Sequence, residues 1–372
     1  DKNLLQFRTD AGGTFATDRL SGSARSVFYD DEAGELRLSG GFRVEALAPG
    51  SLEAPVVMSG DAFFYDRGRR TGGAAGAVRV SREGMDGEAK ALDFRAAEDE
   101  GSFSTMAFAG AVTCSFTGPK HEKPGSKKLE AGKVSVVSFP GSSRISGVEA
   151  QGNCLLVLNG PKSPGLTAKG EGIHLFFDPG TELAGLQAVG PATLTVDESG
   201  GESRALEADL ISYDCRSRIV KAASAKGSAV TLNSARARIG AFSLSLDLAH
   251  DNIEASGSVT CILERRPEAS SIGFFAKDKP LFVTCGRLES VGKPAGYLFS
   301  GKVRAWQDKR MIEAGELDVL DESGDTRGRG GVSSVLPRAS DGESEDRRIE
   351  AGGETMNFSS KDGAVSFEGE AF

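Results

Sequence analysis

The chain has 372 residues, 39% hydrophobic and 26% charged, a balance that excludes a disordered chain. No apolar run approaches the roughly 20 residues of a spanning helix. The net charge of -9 speaks against nucleic acid as a partner, because such binding needs clustered positive charge.

The chain begins at Asp1 with neither methionine nor a signal segment, the expectation for a mature or trimmed chain. From there the dominant signal is alternation with a period of two, the mark of strands with one buried face. A glycine followed by an alternating apolar run recurs at Gly40, Gly60, Gly110, Gly152, Gly190, Gly227, Gly257, Gly301 and Gly331. The glycines of this chain read as serving turns and bulges. Residues 88–99 (EAKALDFRAAED) are the best candidate for a helix, with a strand or short turn as the equal alternative. Residues 119–128 (PKHEKPGSKK) form a basic loop and 161–165 (PKSPG) a turn. A soft boundary falls at Ser199-Gly200-Gly201, giving a divergent β-repeat region over 1–200 and a cleaner one over 201–372.

Beyond the boundary come EADLISYD from Glu207, then the alternating runs Ala229–Asn233, Phe242–Leu248 and Val259–Glu264. Residues 265–275 interrupt the pattern. The stretch 300–320 (SGKVRAWQDKRMIEAGELDVL) holds two alternating runs around a charged break, Asp308-Lys309-Arg310. Residues 338–348 are a polar loop. From Gly190 onward the glycines are about 30 to 45 residues apart, the range of architectures in which each unit stacks on its neighbours.

Two successive units, 300–337 (SGKVRAWQDKRMIEAGELDVLDESGDTRGRGGVSSVLP) and 349–372 (IEAGGETMNFSSKDGAVSFEGEAF), resemble the OstA-like repeat. That repeat belongs to the periplasmic lipopolysaccharide transport family of LptA, LptC and the soluble part of LptD. Residues 207–263 repeat the theme, and over 1–200 only the glycine-strand rhythm carries it. The resemblance implies an all-β, antiparallel, repeat-built jellyroll, V-shaped, with an apolar groove between two sheets. It implies a non-catalytic periplasmic carrier that shields the acyl chains of lipopolysaccharide or a related glycolipid on their way to the outer membrane. It also implies partners of the same jellyroll type joined through edge strands, and a head-to-tail homo-oligomer. The alternative is a structural or adhesive β-repeat protein with a closed core. A third reading, a glycan-acting enzyme on a β-scaffold, needs paired acids or a histidine site that only the fold would assemble.

The candidate lipid-groove residues are the inward apolar positions Val230, Leu232, Phe242, Leu244, Leu246, Val259, Cys261, Leu263, Leu281, Val283, Val303, Leu317 and Val319. Taken singly, each fits an ordinary sandwich core better. Trp306, the single tryptophan, falls on the face opposite Val303 and Ala305. Lys302, Arg304, Lys309 and Arg310 read as a solvated charged face or as contacts to lipid phosphates at a groove rim.

No cofactor, metal or catalytic residue is expected. His121, His174 and His250 have no nucleophile-plus-acid pattern around them, and Asp321-Glu322 with Asp325 reads as a hairpin turn rather than a calcium loop. The five cysteines lie far apart without a CxxC pair, so no zinc site is expected. Cys114 and Cys261 share the string VTC with inward alternation, and for Cys261 a free buried thiol is favoured over a disulfide.

Overall fold

A computed structural model describes the chain apart from residues 1–5, 17–19, 47–54, 99–101, 117–126, 141, 143, 161–162, 181, 198–201, 226–227, 265–273, 276–278, 293–294, 321–324 and 338–347. The described residues form 24 β-strands and no helix. The protein is all-β, and its strand pairs are antiparallel. Residues 88–99, the helix candidate, fall largely in the strand Met85–Ala96. Gly227, His121, Asp321-Glu322, the Ser199–Gly201 boundary and the loop at 338–347 lie outside the described residues. Contacts divide the chain into two compact units, Asp1–Ala192 and Thr193–Phe372.

The long strands share one construction, and it decides the use of the glycines. Gly110 lies inside the strand Phe103–Phe116, Gly152 inside Ile145–Gly160, Gly257 inside Asn252–Leu263 and Gly301 inside Ala295–Gln307. They are mid-strand residues, so of the two uses expected of glycine, turn and bulge, these four serve the bulge. Each is followed by a second residue at positive φ: Ala111, Asn153, Ser258 and Lys302. The ladder to the neighbouring strand slips at each of these pairs. A bulge of this kind adds a residue to one strand and bends it. Period-two alternation resumes beyond the bend, which is why half a strand reads as a whole one.

The bends split each unit into two layers joined along a fold line. In the N-terminal unit one layer holds, among others, Arg79–Arg82, Met85–Glu88 and Val112–Phe116. The other holds Ala91–Ala96, Phe103–Ala109 and Lys133–Ser138. The layers face each other. The ring of Phe108, on the second layer, lies 3.1 Å from where a Cβ on Gly87 of the first layer would stand. In the C-terminal unit, Ala237–Gly240, Val259–Leu263, Leu281–Cys285 and Val303–Gln307 make one layer. Ser243–Asp247, Ile253–Ser256, Arg287–Ser290 and Leu317–Val319 belong to the other.

Phe242 departs from its expected place. The run Phe242–Leu248 alternates as if Phe242 shared a face with Leu244 and Leu246. Its side chain is instead 51% exposed. The cause is a change of layer. Ala237, Ile239 and Ala241 are buried before it, Leu244 and Leu246 after it, so the alternation shifts by one residue at Phe242. Its N–H donates to the carbonyls of Ser256 and Gly257, each at 3.1 Å, on the outside of the bend. Gly257 has φ +80, and a Cβ there would stand 2.6 Å from Phe242 Cδ2. Gly257→Ala is therefore expected to cost about 2–4 kcal/mol from backbone strain and overpacking together. Urea unfolding reads this directly. Gly257→Ala combined with Phe242→Ala is expected to recover the overpacking part alone.

Candidate functional site

The interior between the layers is where the candidate residues meet. Twelve of the thirteen, all but Phe242, are 2% exposed or less. Cross-strand register sets them in rows. Ile239, Cys261, Val283, Ala305 and Ile312 are successive neighbours in one layer. Leu288, Phe299, Leu317, Gly328 and Met356 are successive neighbours in the other. All of the first row, and Leu288, Phe299, Leu317 and Met356 of the second, belong to the buried core. Side chains on strands alternate between faces, so a row of this kind continues only because every strand keeps the same face inward.

The rims of the layers are bridged. In the N-terminal unit the buried Arg82, at the end of one layer, donates from Nη2 to Ser138 Oγ at the end of the other, 3.2 Å away. Phe116 and Phe177 approach to 5.8 Å between ring centroids across the same mouth. In the C-terminal unit the buried Arg204 binds the carboxylate of Asp251, which also lies 3.9 Å from Arg236. None of these bridges is legible in sequence, because each joins rim residues whose spacing along the chain follows no period.

Outward positions behave as alternation requires. Trp306 is half-buried on the outer face, stacked on Phe282 at 5.7 Å with a 16° interplanar angle, with Arg304 6.0 Å from its ring. A depression of about 360 Å³ beside it is lined by Thr231, Arg238, Gly240, Thr260 and Ile262 among others. Arg304 also faces Glu313 at 3.4 Å, while Arg310 donates to the carbonyl of Phe274.

His174 is half-buried on the strand Ser163–Phe177. His250 is exposed in a turn, its Nδ1 2.7 Å from Asp247 Oδ2. That bond, first among several, holds the Asp247 carboxyl below the ordinary aspartate range. The backbone N–H groups of Ala249 and His250 donate to the same carboxylate, so the cluster secures a turn. Among the described residues no group of three or more His, Cys, Asp or Glu is placed to hold a metal ion. All five cysteines are free, and Cys114, Cys154, Cys261 and Cys285 are buried.

No protein-family model matches the chain, and no curated relative matches it. Among solved structures it is similar to LptH of Pseudomonas aeruginosa, the LptA homologous periplasmic component of the conserved lipopolysaccharide transport device. The identity is 16% over 47% of this chain and 85% of that one, with a TM-score of 0.25. No helix among the described residues is long and apolar enough to cross a membrane. A likeness this slight leaves function to be argued from the side chains.

Proposed function

We propose that the chain is a non-catalytic carrier whose interior receives the acyl chains of lipopolysaccharide or a related glycolipid in a periplasm. The observation that carries this reading is the pair of apolar rows between the two layers of the C-terminal unit, whose rims meet at polar contacts such as Arg204 with Asp251. An acyl chain laid along such rows replaces one apolar neighbour with another, so the gain is the lipid's own removal from water. That gain is roughly 0.8 kcal/mol per CH₂, or about 10 kcal/mol for a twelve-carbon chain. A rim hydrogen bond or ion pair is worth about 0.5–3 kcal/mol. Parting the rims is therefore affordable against lipid entry. In this reading residues 201–372 are the OstA-like jellyroll domain and 1–200 a divergent jellyroll-like region. In the same reading similar jellyroll proteins, or further copies, pair with the terminal edge strands.

The near-complete burial of the candidate residues favours a second reading, a structural protein with a closed core. A photo-crosslinking residue placed singly at Leu246, Val259, Leu263 and Val303 separates the two, in cells making labelled lipopolysaccharide. Thr260 and Arg304 are the outward controls. Adducts at the inward set alone are expected. Folded protein without any adduct would sink the carrier reading in favour of the closed core.

A further inference from the structure

The connection between the strands Asn252–Leu263 and Leu281–Gly292 delivers two aromatic side chains into the C-terminal unit. Phe274 and Phe275 are each 2% exposed, within the range of the core, and they meet edge to face at 5.3 Å. They come from a connection rather than from the ladder of either layer. Their anchorage is divided between the two rims. The carbonyl of Phe274 accepts a 2.8 Å hydrogen bond from Arg310 Nη1, and the carbonyl of Lys279 accepts one of 2.7 Å from the buried Gln307. Gln307 and Arg310 end and begin adjacent strands at the rim of one layer. The ring of Phe274 reaches the other layer, where it meets Phe358 edge to face at 6.3 Å. Phe358 lies near the end of the strand Arg348–Ser359, at the second rim.

We infer that Phe274 and Phe275 are an internal occupant of the mouth of this unit, one that an incoming acyl chain must displace. The inference rests on the carrier reading and adds its regulation. Two phenyl groups offer the interior the same kind of surface as a lipid tail, and they are tethered beside it, so they compete at high effective concentration. A site that is open in only a fraction of molecules binds with an affinity reduced by that fraction. The empty carrier thereby keeps its apolar mouth from water and from other apolar surfaces. The Arg310 hydrogen bond sets how firmly the occupant is seated, because it fixes the backbone from which the Phe274 ring projects.

The test is equilibrium and stopped-flow binding of the fluorescent fatty acid cis-parinaric acid to the full chain. Wild type, Phe274→Ala/Phe275→Ala and Arg310→Ala are compared, with circular dichroism verifying the fold of each. The double variant is expected to bind at least tenfold more tightly and to associate faster. Arg310→Ala, which leaves both rings in place, is expected to bind several-fold more tightly, and it carries the test alone should the double variant fail to fold. Wild-type binding that neither variant improves would overturn the internal occupant and leave the carrier reading standing. Weaker binding by the variants would show the pair to be a wall of the site, and would overturn it equally. Folded proteins that all fail to bind would remove both ideas together.

Discussion

Raising the pH from 8.5 to 11 is expected to strip the protein of several kcal/mol of stability, a large share of what holds an ordinary domain folded. Three buried thiols carry most of this. Burial pushes Cys114 up to about 12 and Cys285 up to about 11. It pushes Cys261 higher still, with the nearby Cys285 as a second cause. The unfolded thiol titrates near 9.0. Above that pH the unfolded chain releases protons that the folded chain holds, so stability is complete below the unfolded value. It is lost as pH climbs toward the folded one, at about 1.4 kcal/mol per pH unit for each thiol. The phenol of Tyr213, raised mainly by burial, acts in the same direction. The measurement is the urea midpoint at pH 8, 9, 10 and 11 for wild type and for Cys114→Ala/Cys261→Ala/Cys285→Ala. The triple variant is expected to be weaker at pH 8 but much flatter with pH. Parallel curves would mean that the thiols do not govern the loss.

That the thiols are apolar core groups was partly legible. Cys114 and Cys261 stand four residues beyond the bulge glycines Gly110 and Gly257, in equivalent repeat positions. The string VTC with alternating neighbours conveys this. Alternation likewise marks the strands and most inward faces, because a strand with one wet face must repeat every second residue. It fails where the chain changes layer. At Phe242 a single residue spent on the bend reverses the phase, and nothing local signals it. The mid-strand glycines leave turn and bulge open for a related reason: both make the same demand for positive φ, and only the pairing tells them apart. The aromatic pair at Phe274-Phe275 is a different kind of miss. Its burial depends on two rims being close in space, which periodicity along the chain does not encode.

The facing of two layers is common to both units, and in the N-terminal unit Phe108 offers the sharpest test of it. Its ring is fully buried on the layer containing Leu92 and Val134, its ladder neighbours. Yet it lies 3.1 Å from the Cβ position of Gly87, which pairs with Cys114 in the opposite layer. Phe108→Ala is expected to cost about 3–5 kcal/mol, from lost burial and the cavity left behind. Gly87→Ala alone is expected to cost about 1–2 kcal/mol, because the ring must give way by a few tenths of an ångström in a packed interior. With the ring removed, the same methyl group enters free space and relieves the entropic penalty of a glycine in a strand, about 0.5–1 kcal/mol. Gly87→Ala is then expected to stabilise the Phe108→Ala protein, giving a coupling of about 1.5–3 kcal/mol between residues on different layers. Urea unfolding of the four proteins measures it. Additivity within about 0.5 kcal/mol would mean that the two side chains do not meet. The layers of the N-terminal unit would then have to be packed some other way, without a common interior between them. A strong coupling fixes the separation of the layers at the thickness of one ring. That is also the space an acyl chain fills when it takes the place of a side chain, so the same cycle measures how closely the interior of the N-terminal unit would match such a chain.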